Sequence, residues 1–113
     1  MSCIFCKIID GEIPSKKIYE DEHVMAFHDV NPVAPVHALI IPKKHIGKVS
    51  EMDDADEQLM GKLISTAKNV AEQLEISESG FRLVFNNGKS ANQTVFHIHL
   101  HLLGGRAMTW PPG

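Results

Sequence analysis

The chain has 113 residues, 43% of them hydrophobic, which suffices for the core of one domain over 1–113 and leaves no room for a second. A formal net charge of −3 excludes the basic footprint of a binder of long nucleic acid, though not a single phosphate ester held by a few donors. No stretch approaches the ~20 apolar residues of a membrane span, no basic start leads into a long apolar run, and there are only two cysteines. A reducing, cytoplasmic home is expected, where paired thiols serve metal or redox chemistry more than a disulfide.

In chain order, residues 3–9 (Cys-Ile-Phe-Cys-Lys-Ile-Ile) predict a short helix, stopped by Asp10-Gly11 and Pro14. Lys16–Glu20 and His23–His28 predict two short strands, and Asn31-Pro32-Val33-Ala34-Pro35 a loop. His37–Pro42 is a third strand, ended by its proline. One long helix follows, capped by Ser50 or Asp53, with Asp53, Asp54, Asp56 and Glu57 where the helix dipole favours negative charge. Leu59, Met60, Leu63, Ile64, Ala67, Val70, Ala71 and Leu74 recur at helical spacing and give it a broad apolar face for a sheet or a partner. Phe81–Asn86 and Val95–Leu103 predict the last two strands. The polar loop between them, Asn86 to Thr94, is longer than a hairpin needs and is rich in amides and hydroxyls suited to an anion. Gly104–Gly113 forms a tail carrying Trp110. The expected class is α+β: a five-stranded antiparallel sheet with one long helix and a short N-terminal one.

The densest chemistry lies in Phe96-His97-Ile98-His99-Leu100-His101-Leu102-Leu103. On a strand, His97, His99 and His101 share one face and Ile98, Leu100 and Leu102 the other, with the imidazoles roughly 6.6 Å apart. Each ring carries two nitrogens that want partners, which a packed core serves poorly. Four readings compete: a metal site, covalent catalysis by an imidazole nucleophile, a pH-sensing interface, and a merely solvated face. Cys3-x-x-Cys6 is a metal hint, and His45 and His97 are able to complete a Cys2His2 tetrahedron around it. Lys43 and Lys44 read as a solvated charge pair, and nothing is assigned to His23 or His28.

Gln93-Thr94-Val95-Phe96-His97-Ile98-His99-Leu100-His101-Leu102-Leu103 resembles the His-x-His-x-His-x-x signature of the histidine triad family. Further stretches resemble its Hint branch of purine nucleoside phosphoramidases: Ile4–Ile9, Glu12-Ile13-Pro14, Ala26–Asp29, Ile40–Ile46, Gly104-Gly105-Arg106 and Trp110–Gly113. The resemblance spans essentially the whole chain. It implies a homodimer whose sheets join into ten strands, and cleavage of nucleoside 5′-phosphoramidates, typically AMP joined to an amine, through a nucleotidyl-histidine. Carried onto this sequence, His99 is the nucleophile and the carbonyl of His97 fixes its tautomer. His101 stabilises the phosphate, and His37 assists proton transfer to the leaving amine. Asn86, Gln93 and Thr94 meet the phosphate or leaving group. Ile4, Phe5, Ile8, Phe27 and Val30 form the slot for the base, and Asp29 accepts the ribose hydroxyls of an AMP- or GMP-type nucleotide.

The same resemblance makes Cys3, Cys6, His45 and His97 ligands of a structural zinc, with no metal required for catalysis. Asn92 stands where the Hint pattern more often has glycine, which predicts crowding of the phosphate or a positive φ that asparagine tolerates. Three alternatives stay in view. One is a hydrolase with a zinc held by His97, His99 and His101, another a zinc-stabilised nucleotide-binding or interaction module with little turnover. The third is a dinucleoside polyphosphate hydrolase, which the Trp110-Pro111-Pro112-Gly113 ending disfavours.

Overall fold

The computed structural model describes residues 3–113. It builds α1 (Ile4–Ile9), β1 (Lys17–Glu20), β2 (Val24–His28), β3 (Val36–Pro42), α2 (Glu57–Gln73), β4 (Phe81–Phe85) and β5 (Leu100–Gly104). The strands form one sheet in the order β1-β2-β3-β5-β4, and every neighbouring pair is antiparallel. No helix is long and apolar enough to cross a membrane among the described residues.

Strand alternation sorts the sheet into two unlike faces. Val24, Ala26, Ala38, Ile40, Leu100 and Leu102 point to one side, where Leu63, Ala67, Val70 and Ala71 of α2 cover them. Met25, Phe27, Leu39 and Ile41 point to the other, where they pack with Cys3 and Phe5 at the start of α1. His37 and His101 belong to this second face. His101 pairs with Leu39 across β3 and with Val84 across β4, and His37 lies one pleat further along β3. Such diagonal neighbours are within reach of each other.

Three expectations need correction. Strand β5 begins at Leu100 and not at Val95, because the preceding backbone groups bond elsewhere. The Ile98 amide donates to the Ile46 carbonyl at 2.7 Å, and the His97 carbonyl accepts from a side chain. Ile98, Leu100 and Leu102 still share the α2 face, while His97 and His99 lie before the ladder starts. The long helix is also shorter than its acidic run suggests. Asp53 caps a single 3-10 turn over Asp54–Asp56 through a reciprocal box with Asp56, and α2 proper starts at Glu57. Finally, Lys43 and Lys44 are not merely solvated: Lys43 pairs with Glu20 at 2.7 Å, and Lys44 with the buried Asp56 at 2.6 Å.

Candidate active site and metal centre

Four buried or half-buried histidines sit in a chain of contacts, and their partners fix where each proton lies. The Nδ1 of His99 is 2.8 Å from the His97 carbonyl, which only accepts, so Nδ1 carries the hydrogen and Nε2 keeps a lone pair. His37 Nδ1 accepts the Val33 amide at 3.1 Å. Its hydrogen therefore lies on Nε2, which stands 2.9 Å from His101 Nδ1 and 3.3 Å from Asp29 Oδ2. His101 Nδ1 is thus an acceptor, and its own hydrogen lies on Nε2. That Nε2 is buried and has no hydrogen-bond partner among the described residues. A buried donor without an acceptor costs about 1–3 kcal/mol, so the site is built to receive an acceptor from outside.

Burial lowers the proton affinity of His37, His97 and His99 below the ordinary imidazole value. For His101, burial and then the neighbouring His99 and His37 bring it down to about 4. The row is neutral at pH 7. An edge-on Phe5 ring, 5.1 Å from the His99 ring, packs the nucleophile candidate against α1.

Beside these rings lies a cavity of about 530 Å³. Its wall includes Ile4, Phe5, Ile8, Phe27 and Val30 on the apolar side, and Asp29, His37, Asn86, Thr94, His99 and His101 on the polar side. All but one of the residues assigned to substrate from the sequence thus meet at one place. The exception is Gln93. It is buried, its Oε1 accepts the Gly88 amide at 2.8 Å, and its Nε2 donates to the carbonyls of Gly47 and Val95. Its carboxamide pins the loop and leaves no group for a phosphate. Asn92 adopts φ +66° and ψ +34° on the cavity wall, the left-handed conformation that asparagine tolerates. Asp29 also caps its own turn, its Oδ1 accepting the Asn31 amide at 2.8 Å. Each carboxylate oxygen retains a further lone pair for a ligand.

His97 faces the opposite way. Its Nε2 lies 2.8 Å from the Pro42 carbonyl and so holds the hydrogen, turning the Nδ1 lone pair toward Cys3, Cys6 and His45. The four donor atoms lie within 4.8 Å of one another. A tetrahedral zinc with ordinary bond lengths separates sulfur from nitrogen by about 3.6 Å and nitrogen from nitrogen by about 3.3 Å. Here Cys3 Sγ and Cys6 Sγ lie 3.4 and 3.6 Å from His97 Nδ1, Cys6 Sγ 3.4 Å from His45 Nδ1, and the two Nδ1 atoms 3.1 Å apart. The set therefore fits a zinc ion. His97, His99 and His101 do not converge on a common point in this way. Only His97 joins the cysteines, while His101 groups with Asp29 and His37.

Residues 10–108 match the model of the HIT domain. The chain belongs to the HIT family. Among solved structures, the HIT family hydrolase of Legionella pneumophila superposes with a TM-score of 0.97 at 52% identity, covering 99% of this chain and all of that one. The histidine triad nucleotide-binding protein of Candida albicans gives a TM-score of 0.84 at 37% identity, over 97% of this chain and 83% of its own. The 14 kDa zinc-binding protein of Zea mays is 53% identical over 97% of this chain and 87% of its own length.

Within this HIT domain, two partners of the histidines were not legible from residue types. The Val33 amide and the Pro42 carbonyl set the tautomers of His37 and His97, yet both are backbone groups, the carbonyl common to every residue and the amide to every residue but proline. Only their places, in the loop before β3 and at its proline end, hinted at a role.

Proposed function

We propose that this HIT protein is a hydrolase of purine nucleoside 5′-phosphoramidates of the AMP-amine type, of the Hint kind, acting through a nucleotidyl-His99 intermediate. The observation that carries this reading is that two cavity-lining histidines are left with unused groups: His101, whose buried Nε2–H has no acceptor among the described residues, and His99, whose Nε2 keeps its lone pair. A phosphate oxygen would satisfy the first while its phosphorus meets the second.

In this reading the base lies against Ile4, Phe5, Ile8, Phe27 and Val30, and Asp29 receives the ribose hydroxyls. Asn86 and Thr94 border the phosphate and leaving group. His99 Nε2 attacks phosphorus as the phosphorus–nitrogen bond breaks. The anionic phosphate raises the proton affinity of the His37–His101 pair, and the proton it takes up from solvent goes to the departing amine. Both nitrogens of His37 are already engaged, so it acts through His101. Water then attacks the phosphorus as the bond to His99 Nε2 breaks, its proton passes through the His37–His101 pair to solvent, AMP leaves, and His99 is restored. The family resemblance, the nucleotide-binding name of the Candida relative and the hydrolase name of the Legionella relative support the assignment.

Cys3, Cys6, His45 and His97 would hold a structural zinc, which supplies a cross-link with all four positions filled by protein. The zinc-binding name of the maize relative supports that reading. Homodimerisation is proposed through β4. Its outer edge is unpaired in the sheet, and its Phe-Arg-Leu-Val-Phe sequence carries a single charge, Arg82, which is engaged with the tail at the Thr109 carbonyl. The other edge, β1, carries Lys17 and Glu20 and a register shift.

A fluorogenic adenosine phosphoramidate tests the function. The wild type turns it over with release of AMP and amine, and removal of metal from folded protein leaves the chemical step intact. Tight AMP binding without turnover would instead favour a binding module.

A further inference from the structure

Helix α1 supplies Ile4, Phe5 and Ile8 to the cavity wall, yet it is only six residues long. Helices that short do not persist on their own. The backbone bonds of residues 3–13 stay within that segment, as in Lys7 N to the Cys3 carbonyl and Glu12 N to the Lys7 carbonyl. Among the described residues, every hydrogen bond from this segment to the rest of the chain starts at Cys3 or Cys6 and ends on His45 or His97. The remaining attachment is apolar packing, led by Phe5 on Phe27 and the second sheet face. Cys3 caps α1, its Sγ accepting the Cys6 amide at 3.4 Å, so both thiols sit at the helix start, next to Ile4 and Phe5.

We infer that Cys3 and Cys6 are positioning residues for the nucleoside subsite: a divalent cation on Cys3, Cys6, His45 and His97 fixes α1 and thereby sets the affinity for the nucleotide's base. The inference rests on the nucleoside reading of the cavity proposed above. Phe5 touches both sides of the link, its ring packing edge-on against His97 and His99. With the cation bound, the start of α1 is cross-linked to the loop after β3 and to the segment before β5. Without it, three wall residues are held only by apolar packing and long thiol–imidazole hydrogen bonds, and nucleotide binding must also order the helix, which lowers affinity. By linkage, the nucleotide tightens the cation by the factor the cation tightens the nucleotide.

Calorimetric titration of AMP tests this on three samples: zinc-loaded wild type, chelator-stripped wild type, and His45→Gln in the same zinc buffer. His45 is exposed and lies outside the nucleoside cavity, so the variant keeps the wall residues and three donors, and it carries the test if stripping unfolds the chain. Far-UV dichroism checks folding. We expect the AMP Kd to weaken at least about 5-fold in the stripped and variant proteins, and AMP to tighten zinc by the same factor in a chelator competition. Equal AMP affinities, within about twofold, overturn the inference while leaving the nucleoside reading standing. Failure of the wild type to take up zinc overturns it as well. Absence of AMP binding by the zinc-loaded wild type overturns the nucleoside reading and this inference together.

Discussion

The hydrogens on His37, His99 and His101 follow from three fixed acceptors or donors: the His97 carbonyl, the Val33 amide and the His37–His101 contact. Replacing His99 by Asn removes the free lone pair at Nε2, and we expect turnover to fall at least roughly 10³-fold while AMP still binds. Steady-state kinetics beside a binding titration checks this, and undiminished turnover would remove His99 from the mechanism. His101 gives a pH signature. Its folded-state affinity for protons is depressed to about 4, below the ~6.5 of an exposed imidazole. The unfolded chain therefore binds the proton first as pH falls. The stability contributed by the neutral ring is complete above ~6.5 and is lost progressively toward about 4. Melting temperatures should decline over that window, and His101→Gln should shallow the decline. An unchanged slope would mean that His101 does not titrate as its surroundings dictate. At this scale the sequence was most legible where side chains do the chemistry. His37, His99, His101, Asp29, Asn86 and Thr94 all reach one cavity, while His97 turns to the cysteines. Gln93 was misread because its residue type suits an anion as well as it suits a buried loop staple.

Elements hold these side chains by means the residue pattern conveys unevenly. Periodicity placed α2 and β2 to β4 to within a residue or two, save for the α2 start, because burial on both sheet faces enforces register. It failed at β5, where alternation continued through Val95–His99 although the backbone there bonds to Ile46 and to His99. The loop before β5 depends on Gln93. Gln93→Ala leaves the Gly88 amide and the Gly47 carbonyl without that partner, a destabilisation of about 1–3 kcal/mol measurable by chemical denaturation. A loss below that range would mean water replaces the carboxamide. At the far end of β5, a Cβ on Gly104 would lie 2.5 Å from Ile76 Cδ1 and within 3.2 Å of two more Ile76 atoms. Gly104→Ala should cost about 1–3 kcal/mol by overpacking, with little effect on AMP affinity. Loss of AMP binding in a protein that stays folded would contradict that separation.

On the scale of the whole molecule, the sheet divides labour between its faces: α2 seals one, while α1, the cluster of Cys3, Cys6, His45 and His97, and the histidine-lined cavity share the other. The open edge of β4 and the half-exposed Ile64 of α2 leave apolar surface that a second copy would cover. Light scattering should therefore report twice the chain mass of 12.5 kDa, and a stable monomer at micromolar concentration would contradict the dimer. The tail is ordered by Arg82, whose guanidinium donates to the Thr109 carbonyl at 2.9 Å and lies over the Trp110 ring. Composition and the histidine row narrowed the chemistry to a few readings, and the choice among them, like the expected pairing of chains, rested on the family resemblance, since an edge strand is known as an edge only once the sheet order is known. The proposed reaction passes through one covalent bond, between His99 and phosphorus. Enzyme quenched during turnover of an adenosine phosphoramidate and analysed by peptide mass spectrometry should carry AMP on His99. AMP found on another side chain, or on none while amine is being released, would contradict it.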